Sequence, residues 1–394
     1  SGVAHTNPDS FSDIENIVVE IKKIMGYMDI LYGIDNPVFL DVKEDRKYFI
    51  TKIIPWIFKY MFNVNKVMRL STPVDEYLQS FTDNQHLIDV IGQHFFRKTP
   101  AFFALSYFSL YLDYRYPLGG TGKIVDVMEE FIKKHDGNIS VNTEIASLDP
   151  EKQVVTTSKG DEIEYKTLIW AADLKRLYKS IDTTKIESKK IKESVLEKND
   201  LYADMRGGDS ILSVYMTVDL DSNYFKEKCT GHFFYTPVTD GLSEIPGSEA
   251  VSNSSNKEEI LQWVKEYYRL TTYEVSIPVL RDESLAPPGK SALIISTLFD
   301  YDLVKRIKDM GWYKEFKELS EVAIIEAMES SIYPGFKDKI IDKFSSTPLT
   351  MESRTGNTDG AITGWAFTNS SIPVVHTLPS IAKSVRTPLP NIFQ

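Results

Sequence analysis

The sequence predicts a mixed α/β fold whose domains interleave along the chain. Three observations carry that prediction. Apolar residues keep helical spacing through the first hundred residues. After Tyr116 a helix leads into short alternating strands, and a second strand-rich region follows the charged stretch Lys175–Asn199 before a long amphipathic helix at Trp312–Ser331. At 394 residues with 42% hydrophobic and 12% aromatic content, the chain is long enough for two or more domains around substantial cores.

In order along the chain, apolar periodicity runs from Ile14 to Met28 and from Phe49 to Phe62. Ser71 or Thr72, then Pro73 and Glu76, supply an N-cap, a first-turn proline and a capping-box acid for a helix over "PVDEYLQSF". The runs "IIPWIFKYMF" (Ile53–Phe62) and "AFFALSYFSLYL" (Ala101–Leu112) fit a core helix or one that dips into a membrane interface. Neither reaches the roughly 18 to 20 residues that span a bilayer.

"YPLGGTGKIVDVMEEFIKKHDGNISVN" (Tyr116–Asn142) raises the question of a phosphate loop. A P-loop would need glycine where Pro117 stands and Ser or Thr where Ile124 stands. The G-x-G-x-x-G fingerprint fails at Val125. The stretch reads instead as a tight turn, a helix over Lys123–Lys134 ended by Gly137, and a short strand "NISVN". "QVVTTS" and "EIEYKTLIWAA" read as further strands between the turns "LDPEKQ" and "SKGDE". Later strands are "SILSVYMTVDL", "HFFYTPV", "YEVSIPVL" and "SALIISTLF", with a capped helix at "NSSNKEEILQWVKEYY". The last forty residues place Gly, Pro, Ser and Thr between short apolar runs.

A net charge of −11 argues against a general nucleic-acid binder, which needs a basic face. The single cysteine, Cys229, excludes an intrachain disulfide and a Cys-rich metal site, and fits a reducing, cytoplasmic setting. His5, His86, His94, His135, His232 and His376 lack metal-ligand spacing, so no metal is expected. The H-E-x-x-H, C-x-x-C and G-x-S-x-G patterns are absent.

Several motifs in succession support a resemblance. "YPLGGTGKIVDVMEEFIKKHDGNISVNTEIASLD" followed by "TLIWAADLKRLY", then "DESLAPPGK", then "STPLTMESRTGNTDGAITGW", resemble stretches of phytoene-desaturase-type flavoproteins. Those stand with retinol saturases and amine oxidases in one FAD-dependent superfamily. The resemblance spans about Thr99 to Gln394. It implies a remnant of a Rossmann-like FAD-binding domain interleaved with a helical and antiparallel-sheet substrate domain. The boundaries it suggests are 1–115 and 181–345 for the substrate domain, and 116–180 and 346–394 for the FAD domain.

The same resemblance implies site residues. Thr143, Glu144 and Ile145 would pass the adenine with their backbone, and Ala171, Ala172 and Asp173 would lie near the dinucleotide. Gly119 and Gly120 would turn near substrate and flavin, and Arg354, Gly364 and Trp365 would stand close to the isoalloxazine. FAD is the cofactor implied, and an apolar, polyisoprenoid-like small molecule the substrate. No catalytic acid or base is assigned. An amine or a porphyrinogen is the alternative substrate, and a cofactor-free lipid-binding or interaction module the alternative class. Peripheral membrane contact is a further expectation. The family's opening G-x-G-x-x-G turn and closing Ala-Gly-rich segment are not in this sequence, so the expectation is a fragment of a larger enzyme.

Overall fold

A computed structural model of the chain describes residues 11–32, 44–370 and 385–394. Part of the irregular C-terminal tail expected from the sequence, 371–384, lies outside the described residues, as do 1–10 and 33–43. The chain divides into two compact units, Ser1–Gly120 with Ile211–Thr347, and Thr121–Ser210 with Pro348–Gln394. The described strands are β1 Ile145–Asp149, β2 Val154–Thr157, β3 Glu162–Glu164, β4 Leu168–Ile169, β5 Ser210–Val218, β6 His232–Tyr235, β7 Tyr273–Ser276, β8 Ser291–Phe299, β9 Ile340–Ser346 and β10 Ile392–Phe393.

The first unit opens with helices. Phe11–Tyr32 buries Ile17 and Ile24, seven residues apart and so on one face, against Leu78, Leu87, Ala104 and Leu105 from the helices Val74–Leu78, Gln85–Gly92 and Ala101–Asp113. The predicted cap at residues 71–72 does not form. Ser71 donates its hydroxyl back to Met68, and Pro73 pairs with Pro100 in an antiparallel bridge, so Val74 N–H donates to the Thr99 carbonyl (2.9 Å). A distant segment has taken the donor that a local side chain was expected to satisfy.

The same unit holds a five-stranded sheet, ordered β6-β7-β8-β5-β9. Alternating burial along β8 and β5 turns one face toward helices Lys257–Leu270 and Tyr313–Glu329. Tyr268 stacks on Phe299 and donates its hydroxyl to Ser320 (2.8 Å), leaving no buried O–H unpaired there. As the sequence predicted, Lys257–Leu270 is a capped helix: the Asn256 side chain accepts from the amides of Glu258 and Glu259.

The second unit joins an antiparallel meander, β1-β2-β3, to a parallel pair, β4 and β10. Its core gathers Leu148, Val155, Leu177, Tyr178, Val195, Tyr202 and Ile392. Tyr202 and Val195 come from helix Lys189–Ala203, so residues 181–210 pack with 121–180 and not with the 181–345 region in which the sequence reading placed them. The charged stretch Lys175–Asn199 is two helices, Leu174–Ser180 and Lys189–Ala203, with Ser188 capping the second.

"NISVN" is not a strand. Residues 138–142 are exposed, and no described strand pairs with them; a strand's hydrogen bonds are made to a neighbouring strand, so alternation alone does not make one. The helix before it, Gly122–Lys134, leaves Val125, Met128 and Phe131 exposed. At its end Asp136, not Gly137, takes the left-handed conformation (φ 59°). Gly137 is needed for closeness instead: a Cβ there would stand 2.6 Å from Ile132 Cγ2.

Candidate functional site

In the first unit, Gly119 (φ 87°) and Gly120 (φ 86°) make the turn after Tyr116 in a backbone region that favours glycine. Gly120 N–H closes the turn on the Pro117 carbonyl (3.1 Å). Asp282 clamps it: one carboxylate oxygen accepts from Gly119 N–H (2.6 Å), and the other from Ser284 N–H (3.0 Å) and Oγ–H (2.7 Å). These bonds, Gly119's foremost, hold the Asp282 carboxyl below the usual carboxylate range. Leu285 lies 3.4 Å from where a Gly120 Cβ would stand, and the Arg281 guanidinium 5.9 Å from the Tyr116 ring centre. Two motifs that the sequence keeps far apart, YPLGG and DESLAPPGK, are thus one structure.

The same unit holds a wall of rings. Helix Ala101–Asp113 carries Tyr107, Phe108 and Tyr111, and Tyr114 follows. The edge strand β6 carries His232 and Phe234, two residues apart and therefore on one face. Ring centres are 5.4 Å apart for Tyr111–Phe234, 5.7 Å for Tyr114–His232 and 4.5 Å for His94–Phe234. His232 Nε2 meets Glu274 Oε1 at 2.7 Å from the neighbouring strand. Burial raises the Tyr111 phenol far above its usual range, and a hydrogen bond with Tyr107, then burial, pushes Tyr114 up to about 12. These groups stay neutral and offer apolar faces with hydroxyl tips.

His94 is the exceptional member. Both ring nitrogens are shut off from solvent and lack a hydrogen-bond partner among the described residues. Burial drives its pKa down to about 4, opposed by the charge of Glu274, so the imidazole is neutral at ordinary pH. Such a wall can hold an apolar guest against its rings, or a cation over the tyrosine faces with Glu274 as counter-charge. Sequence reading marked the aromatic run 101–112 but missed His94, His232, Phe234 and Glu274. The available signal was "HFF", which puts His232 and Phe234 on one side of a strand.

In the second unit β4 and β10 run parallel, with Leu168 N–H donating to Asn391 O (2.9 Å) and Trp170 N–H to Phe393 O (2.8 Å). Ala171 and Ala172 follow at the carboxyl end of β4, small and exposed. Asp173 caps helix Leu174–Ser180 by accepting from Arg176 N–H (3.1 Å), and its other oxygen accepts from Thr358 N–H and Oγ–H, both 2.8 Å. Glu144 pairs with Arg176 at 3.5 Å, its carbonyl accepts from Ser158 N–H, and Ile145 begins the pairing with β2 opposite Thr157. The Arg176 guanidinium fills the space beside Gly356, so Glu144, Asp173 and the 356–358 loop are gathered together.

Trp365 stacks on Tyr202 (5.4 Å, 12°), and Gly364 accepts from Gly208 N–H (2.8 Å). Arg354 is exposed at the end of helix Pro348–Thr355. An open pocket lined by Pro150, Glu151, Glu187, Ser188, Ile191, Leu389 and Pro390 includes none of the motif residues.

The chain matches no family profile and no curated protein by sequence. Its likeness is to solved structures. An oxidoreductase from Methanosarcina mazei superposes with a TM-score of 0.52 at 12% identity, over 82% of this chain and 62% of that one. A triple mutant of putrescine oxidase, from a structure-based redesign of cofactor binding, superposes with a TM-score of 0.53 at 11% identity, over 98% of this chain and 70% of that one. The chain therefore has the mixed α/β fold of these two proteins, and it spans about three-fifths of the length of the first.

Proposed function

We propose that the chain belongs to an FAD-dependent oxidoreductase acting on a carbon–carbon bond of an apolar, polyisoprenoid-like substrate. The observation that carries this reading is the Asp282–Gly119 clamp, which bonds two separate motifs of the flavoprotein resemblance at the foot of an aromatic wall. The fold shared with an oxidoreductase and with putrescine oxidase supports it.

The residues suit one side of a dinucleotide. Ala171 and Ala172 are small and exposed at the carboxyl end of a parallel pair, where such ligands cross a doubly wound sheet. Glu144 and Ile145 lie on the adjoining meander, and Trp365 with Gly364 on a loop tied to Tyr202 and Gly208. The N-terminus of helix Leu174–Ser180 is closed by Asp173, so these residues would hold the cofactor elsewhere than at its pyrophosphate. FAD supplies two-electron redox chemistry when bound. The protein's own part is to line the substrate with Tyr111, Phe234 and Tyr114 and to exclude water from it.

A second reading, an amine substrate, is favoured by Glu274 beside the tyrosine faces. One titration separates the two. Protein is loaded with FAD, desalted, and its flavin absorbance followed as geranylgeraniol or putrescine is added. Retained flavin bands perturbed by the isoprenoid, with the response lost in Tyr111→Ala, are the expected result. A response to putrescine alone selects the amine, and a colourless protein after desalting refutes flavin binding by this chain.

A further inference from the structure

Helix Ile54–Met68 and the π-helical turn Phe49–Ile53 that leads into it have one inward face, carried by Ile53, Trp56, Asn63 and Val67. Phe49, Ile57, Tyr60 and Val64 are half-buried, and four of the other large apolar side chains point outward. Ile50 is 54% exposed, Phe58 60%, Met61 61% and Phe62 74%, a stripe of large side chains in water. Lys52, Lys59 and Lys66 follow at seven-residue intervals and so form one row on the flank of that stripe. With Arg46, Lys47 and Arg69 they make a segment of 46–69 that has no carboxylate, in a chain of net charge −11. None of the three lysines forms an ion pair with another described residue; Lys66 bonds only the Asn63 amide oxygen (3.4 Å) and lies over the Tyr27 ring.

We propose that this face docks on the surface of an anionic lipid bilayer. Phe58, Met61 and Phe62 enter the boundary between headgroups and acyl chains, and the lysine row meets lipid phosphates. The pairing of an apolar stripe with a cationic flank is the arrangement of interfacial helices. Charge complementarity selects the occupant. The net acidic remainder of the chain is repelled by an anionic surface, which turns the 46–69 segment toward it. A second copy would bring its own lysine row against this one. The proposal rests on this helix alone and does not depend on flavin or substrate.

The test is flotation of the full chain with vesicles of phosphatidylcholine, or of phosphatidylcholine with phosphatidylglycerol, alongside light scattering for oligomeric state. The expected result is flotation with the phosphatidylglycerol vesicles that weakens as salt is added. Lys52→Glu, Lys59→Glu and Lys66→Glu together lower partitioning on the order of a hundredfold or more. Phe58→Ser with Phe62→Ser lowers it at least about tenfold with the charges intact. Both sets change exposed positions, and circular dichroism checks that each remains folded; Phe62→Ser alone serves if the double variant does not. Protein that stays at the bottom of the gradient with anionic vesicles overturns the proposal, as do variants that float like the parent. A dimer that Phe58→Ser and Phe62→Ser dissolve, without flotation, overturns it in favour of an interface between copies.

Discussion

Replacing His94 with phenylalanine tests whether a buried imidazole sets the acid stability of the first unit. The unfolded chain takes up a proton on this histidine from about pH 6.5 downward, whereas the folded protein resists until about 4. Stability from this group is therefore fully present above 6.5 and falls as pH drops through the window between the two values. A separation of about 2.5 pH units is worth about 3 kcal/mol in full, of which about 2 kcal/mol is lost between pH 7.5 and pH 5. His94→Phe removes the titration and two unpaired nitrogens while keeping a ring against Phe95 and Phe234, whose centres lie 4.0 and 4.5 Å away. The variant is expected to match or exceed the parent by about 1 kcal/mol at neutral pH. Between pH 7.5 and pH 5 it should lose about 2 kcal/mol less. Urea unfolding followed by far-ultraviolet circular dichroism at the two pH values measures both quantities, and every other titrating group cancels in the comparison. Parallel losses in parent and variant would refute the reasoning, as would a marked loss of stability in the variant at neutral pH.

Asp173→Ala removes a helix cap and both bonds to Thr358, for an expected loss of about 2–4 kcal/mol. The melting temperature in differential scanning fluorimetry should fall by about 5–15 °C, and Asp173→Asn, which keeps one acceptor, should fall less. Asp282 carries a depressed carboxyl, so the Gly119 clamp is intact above the usual carboxylate range and is released as pH falls through the lower, folded-state value. The Gly119 amide resonance should move with a midpoint below 3.8, the ordinary value for this group, and Asp282→Asn should abolish that titration. A midpoint at or above the ordinary value would show that no such clamp exists in solution.

The parts of this protein that were legible in its sequence are those settled within a few residues. Asn256 caps its helix because the donors it satisfies are two and three residues away. The strands at 210–218 and 291–299 show their alternation because each side chain's face follows from its own position. Gly119 and Gly120 announced a turn because few other residues adopt their backbone. The motifs of the flavoprotein resemblance were likewise readable one at a time.

What the tertiary structure alone decided involves partners far along the chain. Thr99 supplies the acceptor that made the cap at 71–72 unnecessary, and "NISVN" alternates like a strand yet pairs with no strand among the described residues. Helix Lys189–Ala203 joined the second unit because Tyr202 found Tyr178 and Trp365 there, a match of shapes that no spacing in the sequence records. The candidate site was hidden for the same reason. His94, Tyr111, Phe234 and Glu274 come from a turn, a helix and two strands, and Asp282 reaches Gly119 across 163 positions. Local propensity acts over one helical turn, whereas these contacts exist only after the chain has closed its long loops and buried the surfaces between them.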